Sequence, residues 1–227
     1  MRNQEKNKTS FFLTGFTQSA FLTTISRISG YIRDVFIAAF LGAGIFSDIF
    51  FISFKLPNLF RRLTAEGALT NAFLPVYSLA REKQGQPHAL ILAAEVQTAL
   101  LLVLSAIVLV MEIFMPVIIS VLAPGFSATP DRFDAAVQLA RITMPYLPMI
   151  SLVALWAALL NSADDFIAGA LAPVILNMFL IAGAVLIPIS AAATNSPASM
   201  LALPLVGALL IAGVCQMVLL QAGLRRK

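Results

Sequence analysis

Residues 99–122 read ALLLVLSAIVLVMEIFMPVIISVL, 24 consecutive positions whose only charge is Glu112. As a helix rising about 1.5 Å per residue, this stretch outreaches the roughly 30 Å hydrocarbon layer of a bilayer. The rest of the chain has the same character. Apolar residues make up 59% of the 227 positions and charged residues 11%, with a mean hydropathy of +0.91. An ordinary soluble domain has about 45–50% apolar and about 25% charged residues. One soluble core could not hide this much apolar surface, so lipid must be part of the solvent.

Working outward from that stretch, six candidate spans emerge, at approximately 10–40, 47–80, 88–122, 133–162, 167–190 and 198–224. The breaks between them carry turn chemistry: Gly42-Ala43-Gly44, Glu82 to Pro87, Pro124-Gly125 through Pro130-Asp131, Asn161 to Asp165, and Thr194 to Pro197. The expected fold is therefore all-α: a polytopic membrane bundle of six transmembrane helices forming a single lobe over 1–227. Arg2, Lys6 and Lys8 precede an apolar stretch as in a signal peptide, but Arg27, Arg33 and more apolar sequence follow, so an uncleaved first span is expected. With the N-terminus inside, the inner segments hold Arg2, Lys6, Lys8, Arg81, Lys83, Arg225, Arg226 and Lys227, and the outer ones only Arg132. That asymmetry puts both termini in the cytoplasm of a multi-pass plasma-membrane protein. Pro57, Pro145, Pro148, Pro173 and Pro204 are expected to bend their spans, as in transporters whose broken helices line a cavity.

The informative residues are ionisable groups inside the spans: Arg27, Arg33, Asp34, Lys55, Arg61, Arg62, Glu66 and Arg141. Each costs about 2.5–3.5 kcal/mol at the bilayer centre. Cations outnumber anions six to two, so pairing among themselves leaves a positive surplus. If the first two spans form an antiparallel hairpin turning near Gly44, Asp34 lies opposite Lys55 as an ion pair. Arg27 then lies level with Arg61 and Arg62, and three cations in one low-dielectric layer call for an anion. Helical phase puts Arg27 and Asp34 on one face of the first span. It puts Asp48, Lys55, Arg62 and Glu66 in one stripe of the second, with Arg62 and Glu66 an i, i+4 pair. Guanidinium groups bind phosphate oxygens in pairs and stay charged when buried, so the pattern suits a phosphate or pyrophosphate ligand.

Blander readings stand beside these. Arg61 and Arg62 also fit, though less well, the end of a shorter helix, snorkelling to headgroups. Arg141 divides evenly between snorkelling and cavity lining, and Glu66 between clamping Arg62 and meeting substrate. Glu95 and Glu112 read as interfacial, Asp164 and Asp165 as a solvated turn, and His88 as a solvated side chain at the membrane edge. The single Cys215 lies in an apolar run and can form no internal disulfide. No P-loop, Cys/His pair or carboxylate cluster of metal-ligand spacing is present. The expectation is accordingly no catalysis, no metal, no cofactor and no nucleic-acid partner despite the net charge of +4.

Two stretches resemble the MurJ (MviN) family of lipid II flippases. They are Ser26 to Asp34 with Gly42-Ala43-Gly44 and Ser47-Asp48, and Phe54 to Ala68 running on to Ala72-Phe73-Leu74-Pro75. Ala123 to Phe126, Arg141 to Tyr146 and Ala172 to Asn177 fit the same family. The resemblance implies one lobe of a transporter of the multidrug, oligosaccharidyl-lipid and polysaccharide exporter superfamily. Such a transporter translocates lipid II, an undecaprenyl-pyrophosphate glycolipid, across the bacterial inner membrane by alternating access through a cationic cavity. It carries the family's functional residues onto Arg27, Arg33, Asp34, Asp48, Arg61 and Glu66. Together with the charge argument, this gives Arg27, Arg33, Arg61 and Arg62 as substrate-binding residues. Asp34, Asp48, Lys55 and Glu66 become gating or ion-pair residues, with Arg141 a further cavity candidate.

Family members carry a second lobe beyond these six spans, so the expected partners are lipid II, membrane lipids and a second-lobe polypeptide. An exporter of another polyprenyl-linked saccharide and a non-transporting membrane adaptor are the competing expectations. A membrane enzyme acting on polyprenyl phosphates is disfavoured, because no catalytic His or paired carboxylates appear.

Overall fold

The computed structural model describes residues 2–42, 44–63, 70–194 and 202–226, with side chains described for 20–42, 44, 46–59, 72–189 and 202–226. The described residues form eight α-helices: α1 (Arg2–Leu41), α2 (Ile45–Leu63), α3 (Thr70–Gln84), α4 (Gln86–Leu122), α5 (Pro130–Thr143), α6 (Tyr146–Ser162), α7 (Ile167–Thr194) and α8 (Leu203–Leu224). A single 3-10 turn, Pro124–Phe126, separates α4 from α5.

Local chemistry sets these boundaries. Gly42 takes φ +73° and its N–H donates to the Ala38 carbonyl, ending α1 in the left-handed conformation that glycine tolerates best. Ser47 bonds the Gly44 carbonyl at 2.7 Å and opens α2. Gly85 (φ +88°) followed by Pro87 turns the chain between α3 and α4. At the end of α6, Asp164 adopts φ +60° and the Asp165 N–H reaches back to the Leu160 carbonyl at 3.0 Å. That is the bonding of a Schellman turn.

The described helices do not correspond one to one with the six expected spans. The fourth expected span is two helices, because Pro145 has no N–H to continue α5 and the chain passes through a turn at Met144-Pro145 before α6 begins. The second expected span contains α2 and α3, and residues 64–69 lie outside the described residues. Pro204 stands in the first turn of α8, where proline is tolerated, rather than inside the helix as a bend. Four segments among the described residues are long and apolar enough to cross a membrane: Gln86–Leu122, the α5–α6 unit Pro130–Ser162, Ile167–Ile189 and Leu203–Leu224.

Packing centres on α6 and α7. Most of α6 is buried, from Tyr146 and Leu147 to Leu159 and Leu160, against α8, α7, α4, α3 and α2. Helix α7 lies between α1 and α8, and α5 packs on α2 and α4. Helix α4 is peripheral. It buries Ala89, Ala93, Leu100, Leu104, Met111, Met115 and Ile119, spaced by four or seven residues. It exposes Leu102, Val103, Leu109, Val110, Ile113, Val117 and Val121. Such an apolar outer face suits lipid and not water. Trp156 donates to Gln97 Oε1 at 2.7 Å and ties α6 to α4.

Candidate functional site

The charged side chains described on α1 divide between two faces. Arg27 and Asp34 are exposed on one side, together with Tyr31. Arg33 turns the other way, toward α7. Its Nε and Nη2 donate to Asp34 Oδ1 at 2.9 and 2.7 Å, and its Nη1 donates to Asn177 Oδ1 at 2.9 Å.

Asn177 is 4% exposed, and the structure gives it a role that the sequence did not suggest. Its Nδ2 donates to the Ser26 carbonyl at 3.0 Å and to Ser29 Oγ at 2.9 Å, while Ser29 Oγ also donates to the Ser26 carbonyl. One amide of α7 therefore holds the backbone of α1, a hydroxyl on the next turn and the guanidinium of Arg33. The signal available in the sequence was a lone amide in an apolar span, where an unpartnered polar side chain is costly and a partnered one is usually structural or functional.

Two corrections to the ion pairing follow. Asp34 pairs with its neighbour Arg33 and not with Lys55. The hairpin that would have matched them is not formed as expected, because α1 packs along α7 and barely touches α2. Lys55 is exposed on α2, on the same stripe as Asp48. Asp48 accepts from Arg132 Nη2 at 2.6 Å, and the Arg132 guanidinium lies 3.9 Å from the centre of the Phe126 ring. The starts of α2 and α5 and the Pro124–Phe126 turn are thereby joined at one end of the bundle. Arg141 lies against α4, with Nε donating to the Glu112 carbonyl at 3.2 Å and 3.8 Å from its carboxylate. Its recorded partners are thus on α4, and Glu112, expected to be merely interfacial, is one half of that contact. Arg61 and Arg62 lie in α2 but their side chains fall outside the described residues, as does Glu66 altogether.

The family model for the lipid II flippase MurJ matches residues 37–227. The chain belongs to the MurJ family. Among its MurJ relatives, a probable lipid II flippase MurJ of Rickettsia prowazekii is 46% identical over 164 residues, 71% of this chain and 32% of the relative. One of Rhizobium tropici is 43% identical over 157 residues, 69% of this chain and 30% of the relative. A lipid II flippase MurJ of Burkholderia cenocepacia is 35% identical over 178 residues, 78% and 34% of the two chains. The chain thus spans about a third of the length of these relatives. Among solved structures it is similar to a lipid II flippase MurJ in an inward closed conformation. The TM-score is 0.70 at 26% identity, covering 90% of this chain and 41% of that one.

Within this MurJ-family chain, the described geometry leaves two cationic resources on α1. Arg27 is exposed and has no recorded partner among the described residues. Arg33 commits three of its five N–H groups to Asp34 and Asn177 and retains two. The free guanidinium of Arg27 and the oriented one of Arg33 thus lie on different faces of α1, the second turned toward α7.

Proposed function

We propose that this chain forms the N-terminal lobe of a lipid II flippase, with six spans, both termini cytoplasmic, in the bacterial inner membrane. The work is transport without covalent chemistry: this lobe and a second lobe enclose a cavity that opens alternately to each side. Arg27, Arg33, Arg61 and Arg62 hold the pyrophosphate of the undecaprenyl glycolipid while its tail stays in lipid. Asp34, Asp48, Lys55 and Glu66 set the ion pairs that release and regain that grip. Arg141, held at the α4–α5 seam, serves the lobe's packing and not the ligand.

The observation that carries this reading is Arg33, fixed by Asn177 and Asp34, on the helix that also carries an exposed Arg27. A bare cation in an apolar bundle is costly, and the cost is offset when an anionic ligand completes it. Preoriented guanidinium groups lose less freedom on binding phosphate than flexible ones.

The test is complementation in bacteria depleted of their own flippase, with this chain expressed alongside a second lobe. Wild type is expected to restore growth, and Arg27→Ala and Arg33→Ala, inserted at equal levels, to fail. Growth with either alanine variant at wild-type rate overturns the phosphate grip.

A further inference from the structure

Inside the bundle, where α2, α6, α7 and α8 converge, lies a partly enclosed cavity of ≈ 220 Å³, bounded by Asn58, Tyr146, Ala154, Gly169, Pro173 and Gln216 among others. Most of its wall is apolar, and it includes a buried acceptor that the fold leaves unmet. Gln216 is 1% exposed; its Nε2 donates to the Ala172 carbonyl at 2.6 Å, leaving Oε1 buried with no partner. Pro173 stands inside α7 and has no N–H, so the Gly169 carbonyl four residues back lacks its helical donor. Asn58 donates one Nδ2 hydrogen to the Phe54 carbonyl at 3.0 Å and keeps Oδ1 as an acceptor. Buried acceptors without donors are costly, and a cavity of this size far exceeds the roughly 10–15 Å³ that one water needs.

We propose that this cavity is a binding site for small donors to neutral oxygen: ordered water, or a monovalent cation carried with it. The lining contains no carboxylate, so it does not suit a divalent ion. Its occupant completes the Gln216 amide and the Gly169 carbonyl, keeping α7 solvated at its proline. Asn177 lies one turn further along α7. The occupant therefore sits at the weak point of the helix that holds α1, where a bend can change without exposing an unmet backbone group. The proposal stands independently of the flippase reading, since it uses neither Arg27 nor Arg33.

The chain's three tyrosines supply the test by hydroxyl-radical footprinting of the purified protein in nanodiscs. Tyr31 is 72% exposed, Tyr77 is buried at 5% against Phe73, and Tyr146 is buried at 0% beside the cavity. Radicals formed from bound water oxidise buried rings next to that water. Tyr146 is expected to be modified several-fold faster than Tyr77, and Gln216→Leu to bring it down to the Tyr77 rate with Tyr31 unchanged. Should Gln216→Leu misfold, seen as a rise at Tyr77, the wild-type comparison of Tyr146 with Tyr77 decides alone. Replacing sodium and potassium by N-methylglucamine separates the occupants: a changed Tyr146 rate assigns a cation, an unchanged fast rate assigns water. A wild-type Tyr146 no faster than Tyr77 in every buffer overturns the proposal.

Discussion

Arg33 and Asn177 are 144 positions apart in the chain and joined by a 2.9 Å hydrogen bond in the fold. The same amide bonds the Ser26 carbonyl and Ser29 Oγ, so α1 is fastened to α7 at the level where it carries its charge.

Asn177→Leu is expected to lower stability by about 1–3 kcal/mol, the usual cost of leaving buried hydrogen-bonding groups unmet. Thermal unfolding in detergent measures the loss. In the same variant Arg33 keeps only Asp34 as a recorded partner, so ligand affinity should fall beyond what the stability change explains. Serine-to-alanine exchange at Ser29, which removes two bonds of the cluster but leaves those of Asn177 to Arg33 and the Ser26 carbonyl, should cost less than Asn177→Leu.

Trp156 is the only tryptophan, and its indole N–H meets Gln97 Oε1 at 2.7 Å. Gln97→Leu leaves that N–H without an acceptor, at a cost of about 1–2 kcal/mol. Intrinsic fluorescence should shift to the blue as the indole loses its polar partner, and an unchanged spectrum would place the indole in another environment.

Close packing of α7 on α8 gives a steric prediction with its own control. A Cβ on Gly183 would stand 2.8 Å from Ala208 Cβ and 2.9 Å from the Pro204 carbonyl, whereas one on Gly207 would meet nothing within 4 Å. Gly183→Ala should destabilise by about 1–3 kcal/mol through forced separation of the two helices. Gly207→Ala should be neutral or slightly stabilising, since alanine favours helix over glycine by up to about 1 kcal/mol. Melting temperatures of the two variants check the contrast.

The Asp48–Arg132 bridge is half exposed, so its charge contributes modestly, about 0.2–1 kcal/mol. Stacking of Arg132 on Phe126 adds about 0.5–1 kcal/mol. A double-mutant cycle on Asp48→Ala and Arg132→Ala should yield a coupling in the first range, weakened by salt. Arg132→Lys should keep most of that coupling yet lose the stacking contribution, visible as a difference from Phe126→Leu near zero in the lysine background.

Composition alone established the membrane class, because apolar runs such as 99–122 allow few other solvents. The charged residues of α1 and α2 also stood out, since ionisable groups in apolar sequence are rare. What failed was the pairing. Consecutive helices are usually neighbours, and that assumption set Asp34 against Lys55. Instead α7, five helices later, occupies the space beside α1, and Arg33 takes Asp34 for itself. No periodicity encodes such a distant partner. Asn177 was visible only as a polar residue in an apolar span, and Pro145 was read as a bend where it in fact divides two helices.

Native mass spectrometry of the purified chain with undecaprenyl pyrophosphate, against undecaprenol as the uncharged comparator, tests most directly whether α1 presents an anion-binding face. A pyrophosphate adduct that undecaprenol does not form, and that disappears in the Arg27→Ala/Arg33→Ala double variant, is the expected result. Equal retention of both lipids, or an adduct that survives the double variant, would contradict it.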